Sequence, residues 1–194
     1  MEGARLSVND LACRRGDRVL FRGLSFALRA GEALQVAGPN GTGKSSLLRI
    51  VAGLLRPFEG TVEKTCDAAL LDEKLALDEH LPLGRALEFW SRIDRGGYGP
   101  GNLGRLGLEA LTDVPVRFLS TGQRKRAAIV LSNARMAGLW LLDEPLNGLD
   151  AQAAAGFQDY VAGYLAHGGT AVVASHQPFE VPGLRQLDLR EYAP

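Results

Sequence analysis

The sequence has little of what marks secreted or membrane-spanning chains. Its two cysteines, Cys13 and Cys66, lie in no metal-ligand spacing, which argues against a disulfide framework or a zinc site and suits a reduced compartment. The N-terminus lacks the basic start and the apolar run of a secretory signal. The longest stretch free of Asp, Glu, Lys and Arg, Tyr160–Phe179, contains paired glycines and two histidines, so we expect no transmembrane helix.

Neither sign of charge is in excess. The 22 basic and 22 acidic residues give a formal net charge of +0, so no polybasic surface favours nucleic acid or an anionic membrane as a partner. Apolar residues make up 46% and charged residues 23% of the 194 residues, which is typical of a globular chain long enough to bury a core. We therefore expect one domain over residues 1–194 and no nucleic-acid partner.

What the sequence does have is a glycine-rich loop of the form G-x-x-x-x-G-K-[ST]. The apolar run Ala33–Ala37 before it is typical of a buried strand, and the run Ser46–Ala52 after it has helical period and stops at Gly53. These flanks argue against a chance glycine-rich turn. The predicted nucleotide-binding residues are Gly38, Pro39, Asn40, Gly41, Thr42, Gly43, Lys44, Ser45 and Ser46.

The residue types of this loop indicate its chemistry. Glycines let successive backbone N–H groups point at a phosphate chain, and the helix N-terminus adds partial positive charge at the same place. We expect Lys44 to reach the β and γ phosphates and the Ser45 hydroxyl to bind Mg²⁺.

Hydrophobic periodicity divides the rest of the chain into regions. In the first thirty residues apolar and polar positions alternate, which predicts an N-terminal antiparallel β-subdomain. Residues 72–116 carry leucines and aromatics suited to short helices, with a glycine-rich loop at residues 96–101, so we predict an inserted helical lobe there. Residues 1–71 and 117–194 are then the nucleotide-binding core.

The C-terminal part alternates between helix and strand. The predicted elements are a helix at Ser120–Met136, a strand at Leu139–Leu142, a helix at Ala151–Leu165 and a strand at Thr170–Ala174. Alternation of this kind implies a largely parallel sheet covered by helices. The predicted fold class is therefore α/β, with a phosphate-binding-loop NTPase core.

Two carboxylates follow the apolar strand Leu139–Leu142. At the C-terminal edge of a parallel sheet Asp143 would lie beside the phosphate loop and hold Mg²⁺ through water. Glu144, one residue on, can polarise a water as general base for attack on the γ-phosphate. A surface acidic turn is the alternative, and the complete phosphate loop upstream argues against it.

A second anion site is indicated by Leu119-Ser120-Thr121-Gly122-Gln123. A serine at a helix start and a glycine that lets a ligand approach leave free N–H groups facing outward. An ordinary capped helix with the basic triplet Arg124-Lys125-Arg126 on a solvated face is the alternative, and this motif alone leaves it open.

In this order, together with Leu149-Asp150 and Ser175-His176, these motifs resemble an ABC-type ATPase domain over essentially the whole chain. The resemblance implies that ATP is sandwiched between two copies, with Ser120, Thr121, Gly122 and Gln123 completing the partner's site in trans. It also implies that Asp150 lies in the dimer-interface loop and that His176 contacts the γ-phosphate and holds the attacking water. His80 and His167 have no such context.

The sequence departs from the family pattern in three places. Where an aromatic ring usually stacks on adenine it has Arg14 and Arg15, which could stack a guanidinium on the base or form a solvated pair. Where a glutamine usually follows the strand near Leu71 it has Asp72-Glu73-Lys74, so metal coupling through an acidic side chain and water is altered rather than lost. Thr121 replaces the second signature glycine, which the family tolerates.

Within the family, Arg18–Phe26 and Asp113–Ser120 resemble the ATPase of cytochrome c maturation systems, which export haem or release a haem-loaded chaperone. That resemblance implies a subunit on the cytoplasmic face of a bacterial inner membrane, bound to an integral permease through its helical lobe. The alternatives are the ATPase of another small exporter and a nucleotide-binding regulatory module with negligible turnover. A soluble ABC-type protein acting on DNA or ribosomes would need coiled coils or tandem cassettes, which the sequence lacks.

Overall fold

The computed structural model describes residues 4–72, 77–93, 103–104, 106–134 and 137–194. The strands are β1 Ala4–Arg15, β2 Arg18–Arg29, β3 Ala33–Ala37, β4 Glu59–Lys64, β5 Ala68–Leu71, β6 Leu139–Asp143, β7 Thr170–Ala174 and β8 Leu184–Asp188. The α-helices are α1 Lys44–Ala52, α2 Leu83–Ile93, α3 Thr121–Ala134 and α4 Ala151–Ala166, and short 3₁₀ helices cover Glu109–Leu111, Val116–Phe118 and Leu189–Tyr192.

Two sheets form the framework. The first is antiparallel with the order β2-β1-β4, and the second has the order β5-β6-β7-β3-β8 with every neighbouring pair parallel. This confirms the predicted α/β fold with a parallel core and an N-terminal antiparallel sheet. The carboxyl ends of the parallel strands meet at one edge, which brings the loops after β3, β6 and β7 together.

The antiparallel sheet shows the predicted alternation, interrupted by several register shifts, one of which lies near the hairpin. Its predicted inward-facing residues are all buried: Leu6, Val8, Leu24, Phe26 and Leu28. Near the hairpin the pairing moves from Cys13↔Phe21 to Arg14↔Val19, so Leu20 has no partner across the strand pair. Such a β-bulge re-aims the extra side chain, and here it turns Leu20 toward the loop after β3.

The parallel sheet is covered on both faces. Leu139, Leu141 and Val172 pack with helix α1 on one face, in the same buried cluster as the antiparallel sheet. On the opposite face Trp140 and Val173 pack with α4. Other buried residues on that face are Leu142, Phe157, Val161 and Ala171. Strands buried on both sides are uniformly apolar, which is why β6 and β7 stand out in the sequence.

The region predicted as a helical lobe contains α2 and two 3₁₀ turns in its described part. The buried leucines of α2, Leu83 and Leu87, pack against Ala127 and Val130 of α3 in a third cluster. Glu73, Lys74, Leu75 and the predicted glycine-rich loop at 96–101 lie outside the described residues, and the lobe boundaries at 72 and 116 stay predictions. No helix in the described ranges is both long and apolar enough to span a bilayer.

Candidate functional site

The loop after β3 wraps around the ammonium group of Lys44. This lysine opens α1 and is only 6% exposed, and its Nζ donates to the carbonyls of Gly38 at 2.7 Å and Pro39 at 3.2 Å. Thr42 closes the turn with a hydrogen bond from its hydroxyl to the Pro39 carbonyl. The loop is therefore already curled around a cation at the N-terminus of a helix, which is the geometry that binds phosphate.

Gly43 shows why the loop needs glycine. Its φ is +108°, and a Cβ there would lie 3.1 Å from the Phe21 ring and 3.2 Å from the Cβ of Leu20. Backbone conformation and space both exclude a side chain. Phe21 and Leu20 of β2 therefore pack directly against the phosphate loop at Gly43.

Beside the loop lies a cleft of about 460 Å³. Its lining residues are Leu20, Asn40, Gly41, Gly43, Lys44, Ser45, Ser46, Arg49, Asp72, Asp143 and Glu144. The structure thus brings the loop and the two predicted carboxylates into one cavity, of a size typical of small-molecule sites. Leu20 and Arg49 were not predicted, because neither the bulge nor the cleft wall has a sequence signal.

Glu144 occupies the centre of this cleft in a strained backbone conformation. Its φ of +45° lies in the left-handed region, which is uncommon outside glycine and often marks functional positions. The backbone N–H donates to the Ala174 carbonyl at 2.8 Å, which fixes the turn against the end of β7. The carboxylate places Oε1 3.8 Å from Lys44 Nζ and Oε2 2.8 Å from His176 Nδ1.

His176 follows β7 and is half exposed beside the cleft. Its Nδ1 lies at hydrogen-bonding distance from the Glu144 carboxylate, and its backbone N–H donates to the same oxygen at 3.4 Å. A carboxylate accepts only, so the ring proton in this contact sits on Nδ1. The prediction that singled out His176 among three histidines thus points to the one in contact with Glu144; among the described contacts His167 instead meets the Gly163 carbonyl and His80 meets Arg117.

Oxygen donors suited to magnesium lie along the same cleft. The hydroxyl of Ser45 and the carboxylates of Asp143 and Asp72 all line it, and Asp143 is 7% exposed at the end of β6. Mg²⁺ is typically held by one or two protein oxygens together with substrate phosphates, so this donor set fits the ion. Asp72 also lies 3.7 Å from Arg49, which partly balances its charge.

The predicted signature residues lie at the start of α3 and do not line the Lys44 cleft. The Gln123 N–H donates to Ser120 Oγ at 3.2 Å and the Ser120 N–H donates to Gln123 Oε1 at 2.8 Å, a reciprocal capping box. Thr121 lines a neighbouring groove. A Cβ at Gly122 would lie 2.7 Å from the Gly148 carbonyl, so the glycine lets α3 approach the loop after Glu144.

Asp150 ends that same loop and begins α4. Its carboxylate accepts from the Ala153 N–H at 2.8 Å, which is a regular N-cap. The side chain is exposed, and its predicted place at a dimer interface stays a prediction.

The two arginines predicted to contact adenine differ in their surroundings. The Arg14 guanidinium lies 4.4 Å from the centroid of the Phe58 ring, so it is engaged on the outer surface of the β-hairpin. Arg15 lies near the Cys13 thiol. Burial raises the pKa of Cys13, while a hydrogen bond with Ser46 of the phosphate loop and the Arg15 charge act in the opposite direction. Arg15 is exposed at the end of β1, and neither arginine lines the Lys44 cleft.

Comparisons with known proteins give a consistent result. A family model described as ABC transporter matches residues 21–147. The chain is 55% identical to the cytochrome c biogenesis ATP-binding export protein CcmA of Novosphingobium aromaticivorans over 194 residues, covering 100% of both proteins. It is 50% identical over 184 residues to the protein of the same name from Sphingopyxis alaskensis, covering 94% of this chain and 95% of that relative. It also matches a solved metal-chelate type ABC transporter in an inward-facing conformation, with a TM-score of 0.81 and 26% identity over 96% of this chain and 80% of that chain.

Proposed function

This chain belongs to the ABC transporter family, and we propose that it is the ATP-hydrolysing subunit of a cytochrome c biogenesis exporter. Two relatives that match it over nearly their whole lengths carry the name of that system's ATP-binding export protein. We propose that turnover serves haem export or the release of a haem-loaded chaperone.

The contact geometry of Glu144 is the observation that carries the catalytic part of the proposal. Its carboxylate lies between the phosphate-loop lysine and His176, where the γ-phosphate and an attacking water would meet. In this scheme Glu144 polarises the water and His176 holds it in line. Lys44 leaves the loop carbonyls for the β and γ phosphates, and the loop N–H groups bind the phosphate chain.

Magnesium would be held by the Ser45 hydroxyl and, through water, by Asp143. When bound, the ion neutralises developing charge on the phosphate oxygens. Asp72 lines the same cleft, so its carboxylate could accept a hydrogen bond from a water on the bound metal. Catalysis then comes mainly from positioning and charge stabilisation.

A second copy of the chain completes the proposed site. Ser120 is exposed, and it lies with Gly122 outside the lining of their own Lys44 cleft, at the N-terminus of α3. We propose that the start of α3 in each subunit closes on the ATP of the other, with Asp150 between them. A subunit alone then binds ATP and turns it over poorly.

The proposed partners are integral permease subunits of the same system. ATP-binding subunits of ABC transporters act with membrane permeases, and we propose that this one docks through its helical lobe on the cytoplasmic face of a bacterial inner membrane. Phosphate release by the chain co-purified with its permease tests the whole proposal. We expect turnover in the native complex and its loss in Glu144→Gln. Equal release from both proteins contradicts the catalytic role of Glu144, and no release from either protein favours a regulatory nucleotide-binding module.

A further inference from the structure

A row of side-chain amides crosses the edge of the parallel sheet beside the proposed site. It joins Gln186 of β8, Gln35 of β3, Gln177 after β7 and Asn147 after β6, which is the order of those strands in the sheet. Gln186 Nε2 donates to Gln35 Oε1 at 3.4 Å, and Gln35 Nε2 donates to the Gln177 carbonyl at 2.8 Å. Gln177 Nε2 then donates to Asn147 Oδ1 at 3.2 Å.

Gln35 anchors this row inside the protein. It is 4% exposed, and it is the cross-strand partner of Gln186, so both ends of its amide are used by hydrogen bonds. A buried amide keeps one orientation when both its donor and its acceptor are satisfied. Gln35 therefore fixes the backbone at Gln177 relative to β3, the strand that leads into the phosphate loop.

The row closes a ring of contacts around the proposed catalytic pair. Gln177 directly follows His176, whose ring contacts Glu144, and the Asn147 N–H donates to the Glu144 carbonyl at 3.2 Å. The bond from Gln177 to Asn147 therefore joins the loop that carries His176 to the loop that carries Glu144, in addition to the contact between those two residues.

On the other side of His176 the chain is also held. Ser175 is 1% exposed and its N–H donates to the Val36 carbonyl at 3.3 Å. Its hydroxyl accepts from the Gln177 N–H at 3.0 Å. Both neighbours of His176 are thus held on β3, and the Gln177–Asn147 bond adds a tie from this loop to the loop that follows Glu144.

We propose that Gln177 is a positioning residue for hydrolysis, which sets the approach of His176 to Glu144 through its hydrogen bond to Asn147. This inference rests on the proposed ATPase function. Because Asn147 lies midway between Glu144 and Asp150, the same bond ties the His176 loop to the predicted dimer-interface loop. None of the four amides ionises, so this link holds at any pH at which the protein is folded.

The test compares Gln177→Met with a matched control, and turnover is measured on the full chain co-purified with its permease. Methionine keeps the length of the side chain and removes the donor, while the backbone carbonyl that Gln35 contacts remains. Gln158→Met is the control, because Gln158 also makes a hydrogen bond, from the Glu180 N–H to its Oε1, but on α4 and outside the row. We expect kcat to fall about five- to tenfold in Gln177→Met, with KM within about twofold and Tm close to the wild-type value.

A double-mutant cycle and a spectroscopic readout complete the test. Asn147→Leu should lower kcat by a similar factor, and the double variant Gln177→Met/Asn147→Leu should be no slower than the slower single variant. The His176 ring signal in ¹H–¹³C NMR, assigned with His176→Ala, should shift in Gln177→Met and stay in place in Gln158→Met.

The outcomes separate the inference from the proposed function. A shifted His176 signal in a protein that hydrolyses no ATP supports the positioning role and contradicts the ATPase proposal. An unshifted signal overturns the inference. The inference is also overturned if kcat and Tm both fall, and fall equally in Gln177→Met and Gln158→Met. Such a result would show that the loss of activity follows from a loss of stability.

Discussion

Oε2 of Glu144 lies 2.8 Å from Nδ1 of His176. The two residues come from loops after β6 and β7, adjacent strands of the parallel sheet, so the sheet places the two loops side by side. Oε1 of the same carboxylate lies 3.8 Å from Lys44 Nζ. One side chain thus contacts both the phosphate-loop cation and the histidine, and the predictions below depend on that arrangement.

His176→Ala should slow hydrolysis without weakening nucleotide binding. The substitution leaves Lys44 and the loop intact, but removes the group that orients Glu144 and the attacking water. We expect kcat to fall by about tenfold to a hundredfold, at or below the lower end of the 10²–10⁴-fold typical of losing a proton-transfer group, because Glu144 remains to polarise the water. Steady-state phosphate release and ATP titration by calorimetry measure the two quantities separately.

The control for this prediction compares two variants that both carry Glu144→Gln, one with and one without His176→Ala. If the two residues act as a unit, Glu144→Gln/His176→Ala should be no slower than Glu144→Gln alone. Fully additive losses would show that His176 acts independently of the contact described above.

Gly43→Ala should destabilise the fold and abolish ATP binding. The φ of +108° and the contacts with Phe21 and Leu20 leave no room for a methyl group, so strain of about 1–3 kcal/mol is expected in the free energy of unfolding. Urea unfolding and nucleotide titration measure both effects.

Gly163→Ala is the matched substitution. Gly163 lies within α4, and a Cβ there would meet no atom within 4 Å. Alanine should stabilise the protein by about 0.5–1 kcal/mol, because it is the better helix former. Equal effects at the two glycines would show that the loop is not held against the antiparallel sheet.

Tyr164 should make the fold sensitive to alkaline pH. Its hydroxyl donates to the Ala137 carbonyl at 2.8 Å and its ring stacks on Trp140 at 4.1 Å between centroids, and burial raises the pKa of Tyr164 to about 12. The folded state therefore favours the neutral phenol. The stabilisation that this provides is fully present below the ordinary tyrosine pKa of about 10 and is lost as pH rises toward about 12.

The measurement is urea unfolding at several pH values from about 9 to 11.5, together with phenolate absorbance. Tyr164→Phe should show a smaller loss of stability over this range than the wild type. Tyr192→Phe, at a residue outside this stack, should behave as the wild type does. The prediction would be contradicted if all four tyrosines of the wild type titrated at the ordinary tyrosine pKa of about 10.

Much of the site was predictable because its residues sit in local patterns. The phosphate loop, the apolar strand before Asp143 and the capping serine at residue 120 each act through neighbours in sequence. Strands β6 and β7 were predictable because burial on both faces makes them continuously apolar.

The remainder depends on distant pairings that no local pattern records. Gln35 meets Gln177 across 142 residues, and Leu20 faces the cleft because of a register shift. Strand β8 is an edge strand with a polar, half-exposed sequence, so its hydrophobic signal is weak and it was not predicted. The contact of Arg14 with Phe58 likewise depends on how the hairpin meets the start of β4.

The central claim is that each phosphate-loop site is completed by the start of α3 in a second copy. Light scattering of Glu144→Gln with ATP and Mg²⁺ tests it most directly, with the ATP-free protein and Lys44→Ala/Glu144→Gln as controls. We predict a mass of twice 20.8 kDa with ATP and a single 20.8 kDa in both controls. A Glu144→Gln protein that is saturated with ATP and still has the mass of one chain would contradict the composite site.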